Sequence, residues 1–236
     1  MTRLLFVVLL AVSACAPVYV PNVRNSPMFT KNGEFQASVQ IGNGLEAQSS
    51  FSVTEHFGIM ANYSYIDASV REDESDYHRH RFFEGAIGYF LNTGDSFFEV
   101  FGGYGRGKGS SFEGFEFFGQ QSVAATGKYE RYFIQPAFGL NKSVVDVSFA
   151  PRFSMVDFYE FSTEVYSIPI HEKPKYFFEP AIIGRANFAN DHLYAVFQAG
   201  FSFGMNENIY FDRRPFQLSG GLGLRLGAMK KLVNRL

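Results

Sequence analysis

Apolar and polar side chains alternate strictly over residues 34–41. Phe35, Ala37, Val39 and Ile41 fall on one parity; Glu34, Gln36, Ser38 and Gln40 fall on the other. Successive side chains of a strand point to opposite faces, so the pattern predicts a strand with one apolar and one polar face. The same alternation recurs at 45–53, 57–70, 80–91, 96–107, 128–140, 144–157, 175–189, 192–204 and 215–227, which makes ten predicted strands. Asn43-Gly44 is a favoured two-residue hairpin turn. Beyond it the connections alternate in length: tight at 54–56, 92–95, 141–143 and 190–191, longer at 71–79, 108–127, 158–174 and 205–214. One end of the strand set is therefore trimmed and the other elaborated. That is the pattern of an all-β, ten-stranded antiparallel up-and-down transmembrane β-barrel with short periplasmic turns and longer outer loops. Phe112, Phe115, Phe117 and Phe118 in the longest connection predict strands that continue past the membrane.

Period two does not by itself say whether the apolar face meets lipid or an internal cavity. Two features decide for lipid. Lys31, Lys108, Lys128, Lys142, Lys173, Lys175, Lys230 and Lys231 all fall in connections, termini or strand ends. A soluble barrel would scatter lysines along a wetted outer face, whereas a bilayer midplane charges ~2–4 kcal/mol for each. The polar parity is also rich in small residues, among them Ser50, Ser52, Gly88, Ser148, Ser202, Ser219 and Gly221, which suit the crowded inside of a narrow barrel. Aromatics near both ends of several apolar faces (Phe57 and Tyr65, Phe83 and Tyr89, Phe98 and Tyr104, Tyr132 and Phe138, Tyr176 and Phe188) predict two interfacial girdles.

Ahead of the strands, Arg3 and the apolar run from Leu4 to Val12 predict a secretory signal over residues 1–14. Its end, Val12-Ser13-Ala14-Cys15, resembles the bacterial lipobox. That resemblance implies a chain cleaved before Cys15 and diacylated on that residue, with Ala16 permitting export to the outer membrane. Cys15 is the only cysteine, which excludes an intramolecular disulfide and any multi-cysteine metal site. Residues 15–32, with Pro17, Pro21 and Pro27 among Asn and Ser, read as a lipidated tether without regular structure. The barrel is assigned to 33–228 and a C-terminal tail to 229–236. A net charge of −2 gives no nucleic-acid surface.

On the same parity argument Glu46, Glu84, Glu99, Asp146 and Glu179 point inward, as do Arg131, Arg152, Arg185 and Arg225. Acids and bases nearly balance in a lumen too narrow for an aqueous channel, so they are expected to interlock into a closing network. Glu84, Glu99 and Glu179 are the expected partners of Arg152. His78 and His80 share a face at the outer end of the fourth strand, near Asp73, Glu74 and Asp76, and His171-Glu172 lies in another outer connection. His78 and His80 are weak candidates for a divalent metal. A solvated charged loop accounts for them as well, and no cofactor is expected. The glycines of 102–107 end a strand with no helix after them, so they do not form a phosphate loop.

Tyr19-Val20-Pro21-Asn22, Asn25-Ser26-Pro27, the first strand Gly33-Glu34-Phe35-Gln36-Ala37-Ser38 and the turn Thr54-Glu55-His56-Phe57-Gly58 resemble lipid-anchored outer-membrane β-barrel proteins of Gram-negative bacteria. The wider pattern is similar to the small OmpA- and OmpW-like barrels. Many of these end on an aromatic residue read by the insertion machinery, whereas here Leu222-Gly223-Leu224-Arg225-Leu226 is followed by a basic tail. The resemblance implies an outer-membrane protein anchored through Cys15. Its implied partners are membrane lipid and the barrel-insertion and lipoprotein-processing machineries. The expected role is structural or surface-interacting and non-enzymatic. A narrow pore or small-ligand passage is the alternative, and a hydrolase at the rim is a third.

Overall fold

The computed structural model describes residues 18–69, 77–112, 124–142, 144–163, 173–189, 192–206 and 214–227. The signal segment, Cys15, the tail at 229–236 and the loop residues Asp73, Glu74, Asp76, His171 and Glu172 lie outside the described residues.

Ten strands run up and down in chain order. They are β1 (Phe35–Ile41), β2 (Leu45–Ser52), β3 (Phe57–Ser69), β4 (Tyr77–Asn92), β5 (Ser96–Phe112), β6 (Ala125–Asn141), β7 (Val145–Phe149 and Arg152–Thr163), β8 (Lys175–Glu179 and Ala181–Phe188), β9 (Leu193–Phe201 and Phe203–Gly204) and β10 (Phe216–Leu226). Pro151 and Pro180, which have no N–H to give, interrupt β7 and β8. Ala150 and Ala181 keep the two strands joined there through reciprocal backbone hydrogen bonds of 2.8 and 3.2 Å. Every strand pairs antiparallel with its chain neighbours. β1 also pairs with β10, from Phe35 opposite Leu226 to Ile41 opposite Gly220, which closes the sheet into a barrel. The tall wall is β4 to β7, whose outer ends reach Tyr77, Phe112, Ala125 and Thr163. As the phenylalanines of that connection predicted, β5 and β6 run several residues past the expected limits.

The apolar parity faces outward: Ile87 is 73% exposed, Leu222 66% and Phe197 64%. The expected girdle residues Phe57, Phe83, Phe98, Tyr132, Phe138, Tyr176 and Phe188 are likewise exposed. Beyond the outer girdle the outward face turns charged, with ion pairs Arg79–Asp67, Arg106–Glu130 and Lys128–Glu160 on β3 to β7. The change of chemistry marks the outer boundary of the apolar band.

The lumen departs from expectation in two ways. It is not lined by small residues alone, because Phe82, Phe101, Phe133, Phe177, Tyr129 and Tyr194 also point inward and are buried. Inward glycines make room for them: a Cβ at Gly103 would meet the Phe133 ring at 2.4 Å, and one at Gly223 the Tyr194 ring at 2.2 Å. A bulge in β7, where Lys128 opposes Glu160 but Tyr129 opposes Phe158, resets the parity. Both Phe158 and Phe161 consequently turn inward at the outer end.

The second departure is larger. Within the segment read as a tether, residues 18–29 lie inside the barrel and every one of them is buried. It starts among the outer ends of β5 and β6, where the Val18 carbonyl lies against Gly109 and its side chain near Gly127. Tyr19 accepts a backbone hydrogen bond from Arg214, just ahead of β10. The segment then descends the lumen to Thr30 and Lys31, which sit with Gly94, Lys142 and His192 by the short turns. Its prolines exclude a helix but favour an extended course, and a narrow lumen admits an extended chain.

Candidate functional site

An irregular segment inside a protein has no ladder to satisfy its backbone, so side chains must do so. The wall supplies amides for this. Gln48 Nε2 donates to the Val23 carbonyl at 3.1 Å, Gln198 Nε2 to that of Arg24 at 2.9 Å and Gln135 Nε2 to that of Asn25 at 2.7 Å. Gln198 Oε1 accepts from the Arg24 N–H at 2.7 Å. Arg185 takes the Ser26 and Pro27 carbonyls at 2.6 and 2.8 Å, with its guanidinium over the Tyr194 ring.

Asn22 is the centre of the arrangement. Its Nδ2 donates to Glu84 Oε1 at 2.7 Å. Its Oδ1 accepts from Arg131 Nη2 at 2.6 Å and from Arg152 Nη1 at 3.0 Å. Glu84 pairs with Arg131, accepts from Asn62 at 2.8 Å and lies 3.7 Å from Arg152. Arg152 Nε donates to Glu179 Oε2 at 2.9 Å, and the other oxygen of Glu179 accepts from the Tyr19 hydroxyl at 3.0 Å. Arg24, from the segment itself, adds a further guanidinium, donating to the Glu179 carbonyl, the Asn22 carbonyl and Gln217 Oε1. Glu84, Glu179, Arg131, Arg152 and Arg24 are all buried.

Apolar ends seal this polar middle. Val18 and Tyr19 pack with Phe82, Tyr129, Phe158, Phe161 and Phe177 on the outer side. On the periplasmic side, Met28 packs with Phe97, Ile183 and Tyr194, and Phe29 with Met60, Phe90 and Phe101. Each such side chain contributes about 1.5–3 kcal/mol by burial. It also removes water that would otherwise screen the charges between the seals.

All nine charges assigned inward by parity do point inward, but they form no single network. Asp146 accepts from Arg225 at 3.0 Å near the periplasmic mouth, where Glu34 lies 3.4 Å from Arg225. Arg185 holds backbone carbonyls. Glu99 is not a partner of Arg152: it accepts from Ser26 Oγ at 2.5 Å and the Met28 N–H at 3.1 Å. Glu46 accepts from Ser64 at 2.9 Å and makes no ion pair among the described residues. The reason is spatial. Parity fixes the face but not the height in the lumen, and the segment stands between walls that would otherwise meet.

His78 and His80 also face inward and are buried at the outer end. His80 Nε2 and the Tyr129 hydroxyl share a hydrogen bond of 2.8 Å, and the imidazole stacks on Phe82 and Tyr129. Among the described residues no group of three His, Cys, Asp or Glu is placed to hold a metal.

The sequence matches no protein-family model and no curated protein. Solved structures give the likeness instead. The translocator domain of the autotransporter NalP from Neisseria meningitidis aligns over 96% of this chain and 96% of its own, with a TM-score of 0.52 and 11% identity. The outer-membrane protease OmpT from Escherichia coli aligns over 82% of this chain and 93% of its own, with a TM-score of 0.48 and 8% identity. The fold is that of an outer-membrane β-barrel.

Arg24, Asn22 and Tyr19 escaped the sequence reading because they lie outside any periodic stretch. One signal was present: Gln36, Gln40, Gln48, Gln135, Gln198 and Gln217 put many amides on inward parity, more hydrogen-bonding capacity than the inward charges require.

Proposed function

We propose that this chain is an outer-membrane lipoprotein, anchored through Cys15, whose barrel is a closed structural body rather than a conduit. Its role is structural or surface-interacting. The observation that carries this reading is the segment from Val18 to Phe29, whose Asn22 ties Glu84, Arg131 and Arg152 into one buried cluster between apolar seals. A conduction path would need continuous water where these groups bond to one another. The outer ends of β4 to β7, projecting past the charged belt, give such a protein a wall to present to the surroundings of the cell.

Planar-bilayer recording of the purified protein tests the closed reading. Wild-type protein is expected to give negligible steady conductance, and deletion of residues 18–29 to give open channels. Stable wild-type channels would overturn it in favour of a pore.

A further inference from the structure

The direction in which the internal segment runs has a bearing on where the lipid group goes. Val18 is at the outer end by three separate contacts. Its carbonyl lies against Gly109 of β5, its side chain meets Gly127 of β6, and the next residue bonds to Arg214 between β9 and β10. Arg214 in turn donates to Asn43 in the β1–β2 turn at 3.1 Å, so that turn marks the same end. Gly109 follows Arg106 and Gly127 precedes Glu130 along the strands, level with the Lys128–Glu160 and Arg79–Asp67 pairs, which puts Val18 at the height of the charged belt and past the outer boundary of the apolar band. At the other end, Lys31 lies among the short turns.

From this polarity we infer that the mature amino terminus leaves the barrel through its outer mouth, and that the acyl group on Cys15 anchors the protein in the outer leaflet, facing the cell surface. The inference rests on the lipidation reading above. Its geometry is that of chain length. Cys15 precedes Val18 by three residues, a reach of no more than ~11 Å. The apolar band of such a barrel is ~25 Å tall. A residue tethered ~11 Å from a point beyond the outer boundary cannot reach the periplasmic leaflet, and the lumen that would lead back is filled by the residues that follow it. A conventional tether would leave the lipid on the periplasmic side, so the two arrangements differ in the leaflet they use.

Thiol labelling in whole cells separates them. Since Cys15 is the only native cysteine, Pro17→Cys and Asn32→Cys each add one reporter thiol to the full chain. Asn32 is exposed beside the periplasmic turns. With a membrane-impermeant maleimide, Pro17→Cys is expected to label equally in intact and permeabilised cells, and Asn32→Cys only after permeabilisation. Heat-modifiable gel migration confirms that both variants are folded. Labelling of Pro17→Cys only after permeabilisation would overturn the surface exit. Metabolic incorporation of a fatty-acid analogue, compared between wild type and Cys15→Ala, reports lipidation on its own. Absence of label from wild type would remove the anchor, and the maleimide experiment on Cys15→Ala carrying each reporter, where the reporter is the sole thiol, would still report the path of the chain.

Discussion

Asn22 and Glu84, 62 residues apart in the chain, meet in the middle of the lumen, where Nδ2 of the first donates to Oε1 of the second across 2.7 Å. The same asparagine accepts from two arginines, so its substitution strips partners from three buried charges at once. Hydrogen bonds to charged groups contribute about 1.5–3 kcal/mol each. Asn22→Leu, of the same branched outline but without polar atoms, is expected to destabilise the barrel by at least about 3 kcal/mol. Urea midpoints followed by heat-modifiable migration measure this. A change within error would mean that the cluster is wet.

The charges around Asn22 are unequal, because Arg131 and Arg152 pair with the carboxylates of Glu84 and Glu179 while Arg24, bonded to the Glu179 and Asn22 carbonyls, adds a third positive charge beside them. Loss of an acid leaves the cations facing one another, whereas loss of a base relieves the excess. Both break buried pairs, for which ~3–5 kcal/mol is the usual cost. Glu179→Ala is expected at or above the top of that range and Arg152→Ala nearer the bottom. Arg225→Ala, close to the periplasmic mouth, should cost less than either. Equilibrium unfolding of the three variants supplies the order.

On the lipid face, position along the strand sets the cost of a charge. Phe197 opposes Gly184 and Gly220 midway along β9, and Phe201 lies four residues nearer the outer rim. Phe197→Arg is expected to cost ~2–4 kcal/mol and Phe201→Arg ~0–1 kcal/mol. Equal tolerance of both would argue that no apolar band surrounds this wall.

Two glycines give a matched pair. A Cβ on Gly109 would meet the Val18 carbonyl at 2.0 Å, whereas one on Gly184, on the outward face, meets nothing within 4 Å. Gly109→Val must displace the internal segment at a cost of ~1–3 kcal/mol typical of overpacking. Gly184→Val should be neutral or slightly stabilising, since a β-branched residue suits a strand better than glycine. Thermal shifts of gel migration report both.

The strands were legible because a sheet with lipid on one side and polar chemistry on the other writes period two into the sequence. The girdles and the nine inward charges follow from that parity. Three things did not follow. The β7 bulge adds one residue at Tyr159 and inverts the parity beyond it, which alternation registers only as noise. The interruptions at Pro151 and Pro180 leave the flanking pairing intact, so the alternation runs through both prolines and gives no sign of a break. The internal segment has no period at all. Its Pro, Asn and Ser are the composition of a solvated linker, and only wall side chains far away in sequence, such as Gln135 and Arg185, turn it into a core.

The closing seam joins β1 to β10, and β1 begins a few residues after the segment that fills the lumen. Closing that seam encloses the segment within the ring. If Cys15 is acylated as proposed above, its acyl chains could not be drawn through a bore packed with arginine and phenylalanine. Closure must wait for the last strand to be made, and the segment from Val18 gains its bonds to Gln198, Arg214 and Gln217 only when that final hairpin is in place. In the closed ring, residues 18–29 are held as by a lasso drawn tight around a stretch of its own rope.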